Sequence, residues 1–519
     1  MKALKNIPEK VFSYLESNQN SFINCLLTFF FAINLRNFIE CFSQESSNYL
    51  NLSPAKLAPA LLHFNLYYTA PALSFVIVLF YATGMQIKPL LKIILPLIIV
   101  VLLSPIIDLI ITGGVGANMS YFADINTHNF LNYYFLLGGD YQGVTTGIKF
   151  EILIILAGIF CFLRVKKQSL PRSLFFTILC YSIIFLSACS QVITLQSLNF
   201  FGFKTEPSNQ LMINYFSLIV FFLGIWICYL ANPKIFLAVI TELSTQRLLH
   251  YELMFLFGLS LGILRLPVEI SFLIHKHPEI IINSAFMLIS IIFAGLFAIV
   301  FNNIADKKID AISNSNRPLI TGTIDLKTYT IIGYCAGIVS LFFASLVSSK
   351  AAFVVIVWMG IYYLYSVPPL RLKRVLLFSK LAISGNSLIL IMLGYLLVTN
   401  TIDYFPPSLT LIFLIGFTIA ANFIDIKDIK GDKAEGIKTL PIVLGNQVAK
   451  IIIGLGFLGS YLSFYFLFKD AFLIPLFATT GCYQFYLINK VKFQEWKVLS
   501  VYTFSMLFLI GYILFLKMY

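Results

Sequence analysis

The chain has 519 residues, of which 59% are hydrophobic and 11% are charged, and its mean hydropathy is +0.89. Soluble domains carry roughly 25% charged residues, so this composition excludes a soluble globular protein and indicates an integral membrane protein. The formal net charge of +13 does not call for a nucleic-acid partner, because an excess of Lys and Arg is typical of the cytoplasmic loops of membrane proteins.

Apolar runs of about 20 residues recur along the chain, and such continuous runs predict membrane-spanning helices and not the alternating pattern of a β-barrel. In the first half we predict about six spans, near residues 22–40, 57–83, 91–112, 148–164, 173–190 and 211–231. In the second half we predict nine, near residues 250–273, 280–304, 327–347, 351–366, 378–398, 406–424, 447–468, 471–489 and 498–516. The predicted fold class is therefore an all-α polytopic membrane protein. Segment 129–138 is apolar but too short to cross, so we expect it at the interface.

Ionisable residues in the first half form no motif. Arg36 and Glu40 are four residues apart and are expected to pair within a helix. His63, Asp108 and Glu151 lie in or at the edge of predicted spans. Such residues are either structurally paired or part of a ligand or proton site, and the sequence leaves both alternatives open.

The basic residues of the second half predict the orientation. With nine spans and the N-terminus of the chain in the cytoplasm, eighteen Lys and Arg residues fall on one side of the membrane and five on the other. Because cytoplasmic loops are enriched in Lys and Arg, the richer side is predicted to be cytoplasmic. The acidic clusters described next lie on that side.

Two acidic clusters follow long apolar runs, at residues 302–310 and 425–432. In the first, Asn303, Asp306 and Asp310 are spaced three and then four residues apart, and the second repeats this spacing with the residues named below. This spacing places each set on one face of a helix. Carboxylates at a membrane boundary are costly unless they are solvated or neutralised, and Mg²⁺ prefers carboxylate and phosphate oxygens. The pattern favours a site for divalent metal and a diphosphate over two ordinary charged loops.

The segment from Asn302 to Pro318 resembles the N-D-x-x-D-x-x-x-D…R-P signature of the UbiA superfamily of intramembrane prenyltransferases. The run from Asp425 to Pro441 is similar to that family's second motif, D-x-x-D-x-x-G-D-x-x-x-G-x-x-T-L-P, and residues 365–374 are similar to its tyrosine-plus-basic loop. The resemblance covers about residues 241–519 and implies nine helices around a central cavity. One position departs from the pattern, because Asn303 stands where the family's fullest first motif has Asp.

The resemblance implies an Mg²⁺-dependent prenyltransferase, which moves a prenyl group from a polyprenyl diphosphate to an acceptor, a lipid or lipoquinone precursor, and releases diphosphate. It implies the following catalytic residues, which with Asn302 would also be the metal ligands: Asp306, Asp310, Asp425, Asp428 and Asp432. It implies that the diphosphate is bound by Asn302, Arg317, Tyr365, Lys373 and Arg374. The implied partners are the donor, a hydrophobic or phosphorylated acceptor and the lipid bilayer.

We therefore divide the chain into an N-terminal membrane domain at residues 1–240, with about six helices and no recognised role, and a prenyltransferase domain at residues 241–519. The first domain has three open roles, which are substrate delivery, partner binding and a separate chemical step. The alternative function for the whole chain is a multi-helix secondary transporter with intramembrane acidic residues. Transporter sites lie near the bilayer midplane, whereas these acidic residues cluster at helix ends, which favours the enzyme.

Overall fold

The computed structural model of the chain describes residues 7–17, 21–42, 53–123, 125, 128–139, 141–203, 205–243, 246–267, 277–434 and 436–518. Its regular elements within these ranges are helices, and no strand is found there. Thirteen helical segments of these ranges, some made of consecutive short helices, are long and apolar enough to cross a membrane, and the predicted spans 148–164 and 471–489 are not among them. The predicted all-α membrane class is confirmed.

The chain divides into two compact units, Met1–Pro233 and Lys234–Tyr519. The helices of the first unit are α1 (Ile7–Glu16), α2 (Phe22–Glu40), α3 (Pro54–Thr83), α4 (Ile87–Leu97), α5 (Leu103–Ile111), α6 (Phe130–Phe135), α7 (Thr146–Val165), α8 (Leu170–Ala188), α9 (Ser190–Phe200) and α10 (Asn209–Ala231).

The second unit begins beside Pro233, the first residue of α11. Its helices are α11 (Pro233–Leu243), α12 (Gln246–Arg265), α13 (Glu279–Ala305), α14 (Lys307–Ser313), α15 (Leu326–Val347), α16 (Ser349–Ser366), α17 (Leu376–Thr399), α18 (Pro407–Leu411), α19 (Thr418–Ala420), α20 (Asp425–Ala434), α21 (Leu440–Leu444), α22 (Asn446–Phe468), α23 (Leu473–Asn489) and α24 (Glu495–Met518).

Two predicted spans are not regular α-helices. In span 91–112, α4 contains Pro96 and is followed by a 3₁₀ turn at Ile98–Leu102. Proline has no N–H to donate and its ring crowds the preceding turn, which explains a break at this point. In span 406–424, a π-helical turn at Ile412–Phe417 and a 3₁₀ turn at Ala421–Ile424 flank α19.

Two other predicted segments differ in extent. Span 250–273 is helical to Arg265, and residues 268–273 lie outside the described part of the chain. Segment 129–138 contains only the six-residue helix α6, whose Phe130, Leu131 and Phe135 side chains are exposed.

Helices α12 and α17 pack closely in the core of the second unit because each presents a glycine at the contact. A Cβ atom at Gly258 would lie 1.9 Å from the carbonyl oxygen of Ile391. A Cβ atom at Gly394 would lie 2.1 Å from the carbonyl oxygen of Phe255. Small residues allow this close backbone approach between membrane helices, where packing contacts drive association.

The predicted boundary between residues 240 and 241 falls inside α11. Ile235, Ala238 and Val239 of this helix pack against Leu296 and Val300 of α13 within the second unit. The division between compact units falls instead at Pro233, where proline is well placed as the first residue of a helix.

Candidate active site

The first acidic motif lies at a break between two helices. Helix α13 ends at Ala305, Asp306 is the cap residue, and α14 starts at Lys307. The helical hydrogen-bond ladder nevertheless continues, since the amide of Asp306 donates to the carbonyl of Asn302 at 2.9 Å and that of Asp310 to the carbonyl of Asp306 at 2.9 Å. The three residues therefore keep the one-turn spacing that the sequence predicts.

Asp306 is buried and bonds to two cations of the loop after α16. Arg371 Nη2 donates to Asp306 Oδ1 at 2.8 Å, and Lys373 Nζ donates to Asp306 Oδ2. Burial lowers the pKa of Lys373, while the charge of Asp306 acts in the opposite direction. The basic loop thus folds back onto the first acidic motif. The order of the motifs along the chain does not by itself require this contact.

Asp310, in contrast to Asp306, is bound by residues of its own segment. Arg317 Nη1 donates to Asp310 Oδ2 at 2.6 Å, and Asn314 Nδ2 donates to Asp310 Oδ1 at 2.9 Å. Burial raises the pKa of Asp310, and the guanidinium of Arg317 opposes that rise. Both carboxylates of the first motif are therefore paired with cations.

Asn303, the position that departs from the family pattern, is 2% exposed and points into a separate polar cluster. Its Nδ2 donates to Glu242 Oε2 at 3.0 Å and to the Tyr329 hydroxyl at 2.9 Å. Its Oδ1 accepts from Arg317 Nη1. These bonds occupy both ends of the amide, so Asn303 acts here as a link between α11, α15 and Arg317.

The second motif forms the start of α20. Asp425 is buried, and its Oδ1 accepts from Lys380 Nζ at 2.6 Å. Its Oδ2 is buried and accepts no hydrogen bond from the described residues. Burial, together with the neighbouring charges of Asp425 and Asp428, raises the pKa of Asp432 to about 6. The negative charges of Asp425 and Asp428 therefore act directly on the Asp432 carboxyl.

The two motifs lie against each other. Helices α14 and α20 are in contact, and Gly431 faces Ile309, whose Cγ2 would lie 4.0 Å from a Cβ atom at the glycine. Lys373 links them electrostatically, because it bonds to Asp306 and its charge also opposes the rise in the pKa of Asp432. The basic loop and both acidic motifs thus form one polar region.

The donor chemistry of this region fits Mg²⁺. The predicted ligands supply hard oxygen atoms, which Mg²⁺ prefers, and the unpartnered Oδ2 of Asp425 is a buried acceptor with no described donor. The Asn302 Oδ1 atom accepts from the Ser366 hydroxyl at 3.0 Å. Within the described residues no three His, Cys, Asp or Glu side chains converge closely enough to hold an ion.

The remaining predicted binding residues differ in placement. Tyr365 is half-buried, and its ring lies 6.3 Å from that of Tyr362. From there a series of aromatic contacts continues to Trp358 at 4.6 Å and on to Tyr251 at 5.0 Å. Arg374 has an exposed side chain at the end of the 3₁₀ turn Leu372–Arg374.

Sequence reasoning missed several polar residues of the second unit. Arg371 and Lys380 bond directly to motif carboxylates, yet in the sequence they are only two of many basic residues near helix ends. His250 is also notable, because its ring nitrogens lie 2.7 Å from the Tyr502 hydroxyl and 2.9 Å from the Ser387 hydroxyl. Its position within a predicted span is the one signal that could have identified it.

In the first unit, the predicted Arg36–Glu40 pair is confirmed, with a buried contact of 2.7 Å. His63 Nε2 lies 2.5 Å from the Tyr121 hydroxyl. Asp108 accepts from Thr145 Oγ1 at 2.5 Å and from the Gly147 amide at 2.7 Å. These bonds tie the end of α5 to the start of α7 and give Asp108 a structural role.

The sequence model of the UbiA prenyltransferase family matches residues 266–516, and no family model matches the N-terminal half of the chain. Residues 266–516, which lie within the second unit, therefore form a UbiA prenyltransferase family domain, as the motifs predicted.

Relatives of this chain are prenyltransferases that differ in their named products. Homogentisate phytyltransferase of Synechocystis sp. is 32% identical over 161 residues, which are 30% of this chain and 52% of that protein. Digeranylgeranylglyceryl phosphate synthase of Methanobrevibacter smithii is 32% identical over 171 residues, which are 32% of this chain and 59% of that protein. The chain thus spans between half and two thirds of the length of these relatives.

Among solved structures, a UbiA homologue from Archaeoglobus fulgidus bound to GPP and Mg²⁺ superposes with a TM-score of 0.44 at 17% identity. The superposition covers 54% of this chain and 99% of that protein. A UbiA homologue from Aeropyrum pernix gives a TM-score of 0.40 at 16% identity, and covers 52% of this chain and 98% of that protein.

Proposed function

We propose that the chain transfers a prenyl group from a polyprenyl diphosphate to a hydrophobic or phosphorylated acceptor, in an Mg²⁺-dependent reaction that releases diphosphate. The observation that carries this proposal is the joining of both acidic motifs with the basic loop. Lys373 contacts Asp306 directly and acts electrostatically on Asp432. A region that contains both carboxylates and cations suits a diphosphate with divalent metal better than a region with only one of them. The carboxylates can bind the metal, and the cations can bind the phosphate oxygens.

The residues that would hold Mg²⁺ are Asn302, Asp306, Asp310, Asp425, Asp428 and Asp432. Bound Mg²⁺ would offset the charge of the diphosphate as it leaves. The phosphate oxygens would be bound by Arg317, Lys373, Arg374 and the Tyr365 hydroxyl, and we add Arg371 to this proposal because it bonds to Asp306. Arginine is well suited to this role because its planar guanidinium can donate two parallel hydrogen bonds.

In the reaction, the bond between the allylic carbon and the diphosphate oxygen breaks, and its electron pair leaves with the diphosphate. A nucleophilic atom of the acceptor then bonds to the allylic carbon and loses a proton. The aromatic series from Tyr365 through Tyr362 to Trp358 leads away from the polar region. Its ring faces would contact the prenyl chain and stabilise positive charge at its reacting end.

The second acidic motif bears on the class of acceptor. The form of the second motif, G-D-x-x-x-G-x-x-T-L-P, is similar to that of family branches that act on homogentisate-like rings, chlorins and glycerophosphate lipids. We propose a lipid or lipoquinone product. Mass spectrometry of lipids from cells with and without the gene would identify this product. The product should be absent without the gene, and its mass should exceed that of an accumulating precursor by one prenyl group.

The proposed reaction is tested with purified full-length protein, labelled geranylgeranyl diphosphate and a panel of acceptors. We expect transfer to need a divalent cation and to fall at least about 100-fold in Asp306→Ala and Asp428→Ala, a loss comparable to removal of other charge-stabilising groups. Asp403→Ala is the matched control, because Asp403 is an exposed loop residue bonded only locally to Thr401 among the described residues. Full activity in EDTA, or equal activity of Asp428→Ala and Asp403→Ala, would contradict the proposal.

The transporter alternative makes a different prediction in the same preparation. A transporter reconstituted in vesicles would accumulate the label without releasing diphosphate. Release of diphosphate that depends on the acceptor would exclude a purely transporting role for the second unit.

A further inference from the structure

The first unit contains a cavity of about 320 Å³ between α3, α4, α7 and α8. This volume is within the range of roughly 300–1,000 Å³ that is usual for small-molecule sites. Most of its wall is aliphatic, and includes Ile93, Ile94 and Leu97 on one side and Ile155 and Ile159 on the other. A hydrocarbon chain would find contacts along this wall.

One end of the cavity is polar. Glu151 lines it and is only 7% exposed, and its Oε2 atom accepts no hydrogen bond from the described residues. The nearby Arg36 is already bonded to Glu40 at 2.7 Å. A buried carboxylate oxygen without a donor is costly, so a ligand that supplies an O–H group there would remove a penalty that the protein otherwise carries.

Aromatic side chains also line this cavity. Tyr67, Tyr68 and Phe122 all line the cavity, and the Arg36 guanidinium lies over the Tyr68 ring at 5.7 Å from its centre. Ring walls favour a flat aromatic head group, because stacked and edge-to-face contacts both become available to it. The polar end thus matches a phenol better than an aliphatic alcohol.

The cavity also has an opening between helices. Ile154 lines it and is 42% exposed, and Gly158, one turn further along α7, lines it and is exposed as well. The cavity wall at these two residues is thus exposed on the outside of α7 and is apolar, which suits the exit of a hydrocarbon tail.

We propose that the first unit binds a phenolic lipid, with its hydroxyl group donating to the Glu151 carboxylate and its hydrocarbon tail leaving through the opening at Gly158. The inference rests on the first unit alone, so prenyl transfer by the second unit can be absent without affecting it.

The probe is 4-dodecylphenol with an aliphatic diazirine in its tail, photolysed with the purified full-length protein. We expect the label on peptides of α3 and α7 that line the cavity. Unlabelled 4-dodecylphenol should compete at least about tenfold better than 4-dodecylanisole, which has the same tail but no O–H donor, because a hydrogen bond to a buried carboxylate is worth about that factor.

Two variants locate the ligand. Gly158→Leu should reduce labelling of the first unit at least about tenfold, because a Cβ atom there meets no atom within 4 Å and the side chain enters the opening freely. Gly224→Leu is its control, since Gly224 also has no atom within 4 Å and does not line the cavity. Glu151→Leu should label normally but lose the preference for the phenol over the anisole.

Three results would each overturn the inference. One is labelling confined to the second unit. Another is equal competition by phenol and anisole in the unaltered protein, which would indicate a site for hydrocarbon only. The third is unchanged labelling in Gly158→Leu. Should that variant unfold, the phenol preference of Glu151→Leu decides alone, and retention of the preference refutes the role of Glu151.

Discussion

Replacing Lys380 by methionine should destabilise the second unit strongly in the absence of divalent metal and much less in its presence. Lys380 is 4% exposed and its Nζ lies 2.6 Å from Asp425 Oδ1, while Asp425 is itself 8% exposed. Methionine keeps most of the apolar volume of the lysine stem but removes its charge. Asp425 would then be a buried carboxylate without its cation.

The expected magnitude follows from this burial. Removing one partner of a buried ion pair costs about 3–5 kcal/mol, because the remaining charge is left uncompensated. For domains of 150–250 residues, each kcal/mol shifts the melting temperature by roughly 2–4 °C, so a decrease of at least about 6 °C is expected. If Asp425 is a metal ligand, Mg²⁺ supplies the missing charge and should restore most of this loss.

The measurement is thermal unfolding of the purified full-length protein with EDTA and with Mg²⁺. Lys427→Met is the matched control, because Lys427 belongs to the same motif but its pair with Glu495 is partly exposed, at 39% for the lysine side chain. An exposed pair is worth about 0–1 kcal/mol, so this variant should change little in either condition. Equal destabilisation of Lys380→Met with and without Mg²⁺ would refute the assignment of Asp425 as a metal ligand.

Gly258→Ala should destabilise the second unit by about 1–3 kcal/mol through overpacking against the facing helix, whereas Gly385→Ala, which meets no atom within 4 Å, should be neutral or stabilising by thermal unfolding. Cysteine at position 433, but not at 350, should be protected from an impermeant thiol reagent on intact cells in a Cys-depleted background, and the reverse pattern would invert the predicted orientation. A chain that begins at Lys234 should insert and transfer the prenyl group. If it is folded and binds donor but shows no transfer, the first unit is part of the catalytic machinery.

The sequence alone determined the membrane class and the approximate position of nearly every helix. It could do so because a segment in lipid must satisfy its backbone polar groups internally, which a helix does. Each such helix is visible in the sequence as a continuous run of about 20 apolar residues. The 3-then-4 spacing of Asp425, Asp428 and Asp432 likewise placed these carboxylates together, since one helical turn brings such neighbours onto one face.

Only the tertiary structure decided which cation meets which carboxylate. Lys373 and Arg371 bond to Asp306, whereas Lys380 bonds to Asp425, and the sequence offers no local reason for these choices among its 36 basic residues. The partners of each pair are 45 to 67 residues apart. Their meeting depends on how separate helices pack, which no local spacing encodes.

The same reason explains Asn303 and the cavity of the first unit. In the sequence, Asn303 is a departure from a metal-binding pattern, while in the structure its bonds to Glu242, Tyr329 and Arg317 make it a link between helices. Glu151 was one isolated acidic residue in a predicted span, and it became part of a candidate site only when four helices enclosed a space beside it. Local backbone requirements are readable from neighbouring residues, but a site made by distant helices exists only after they have packed.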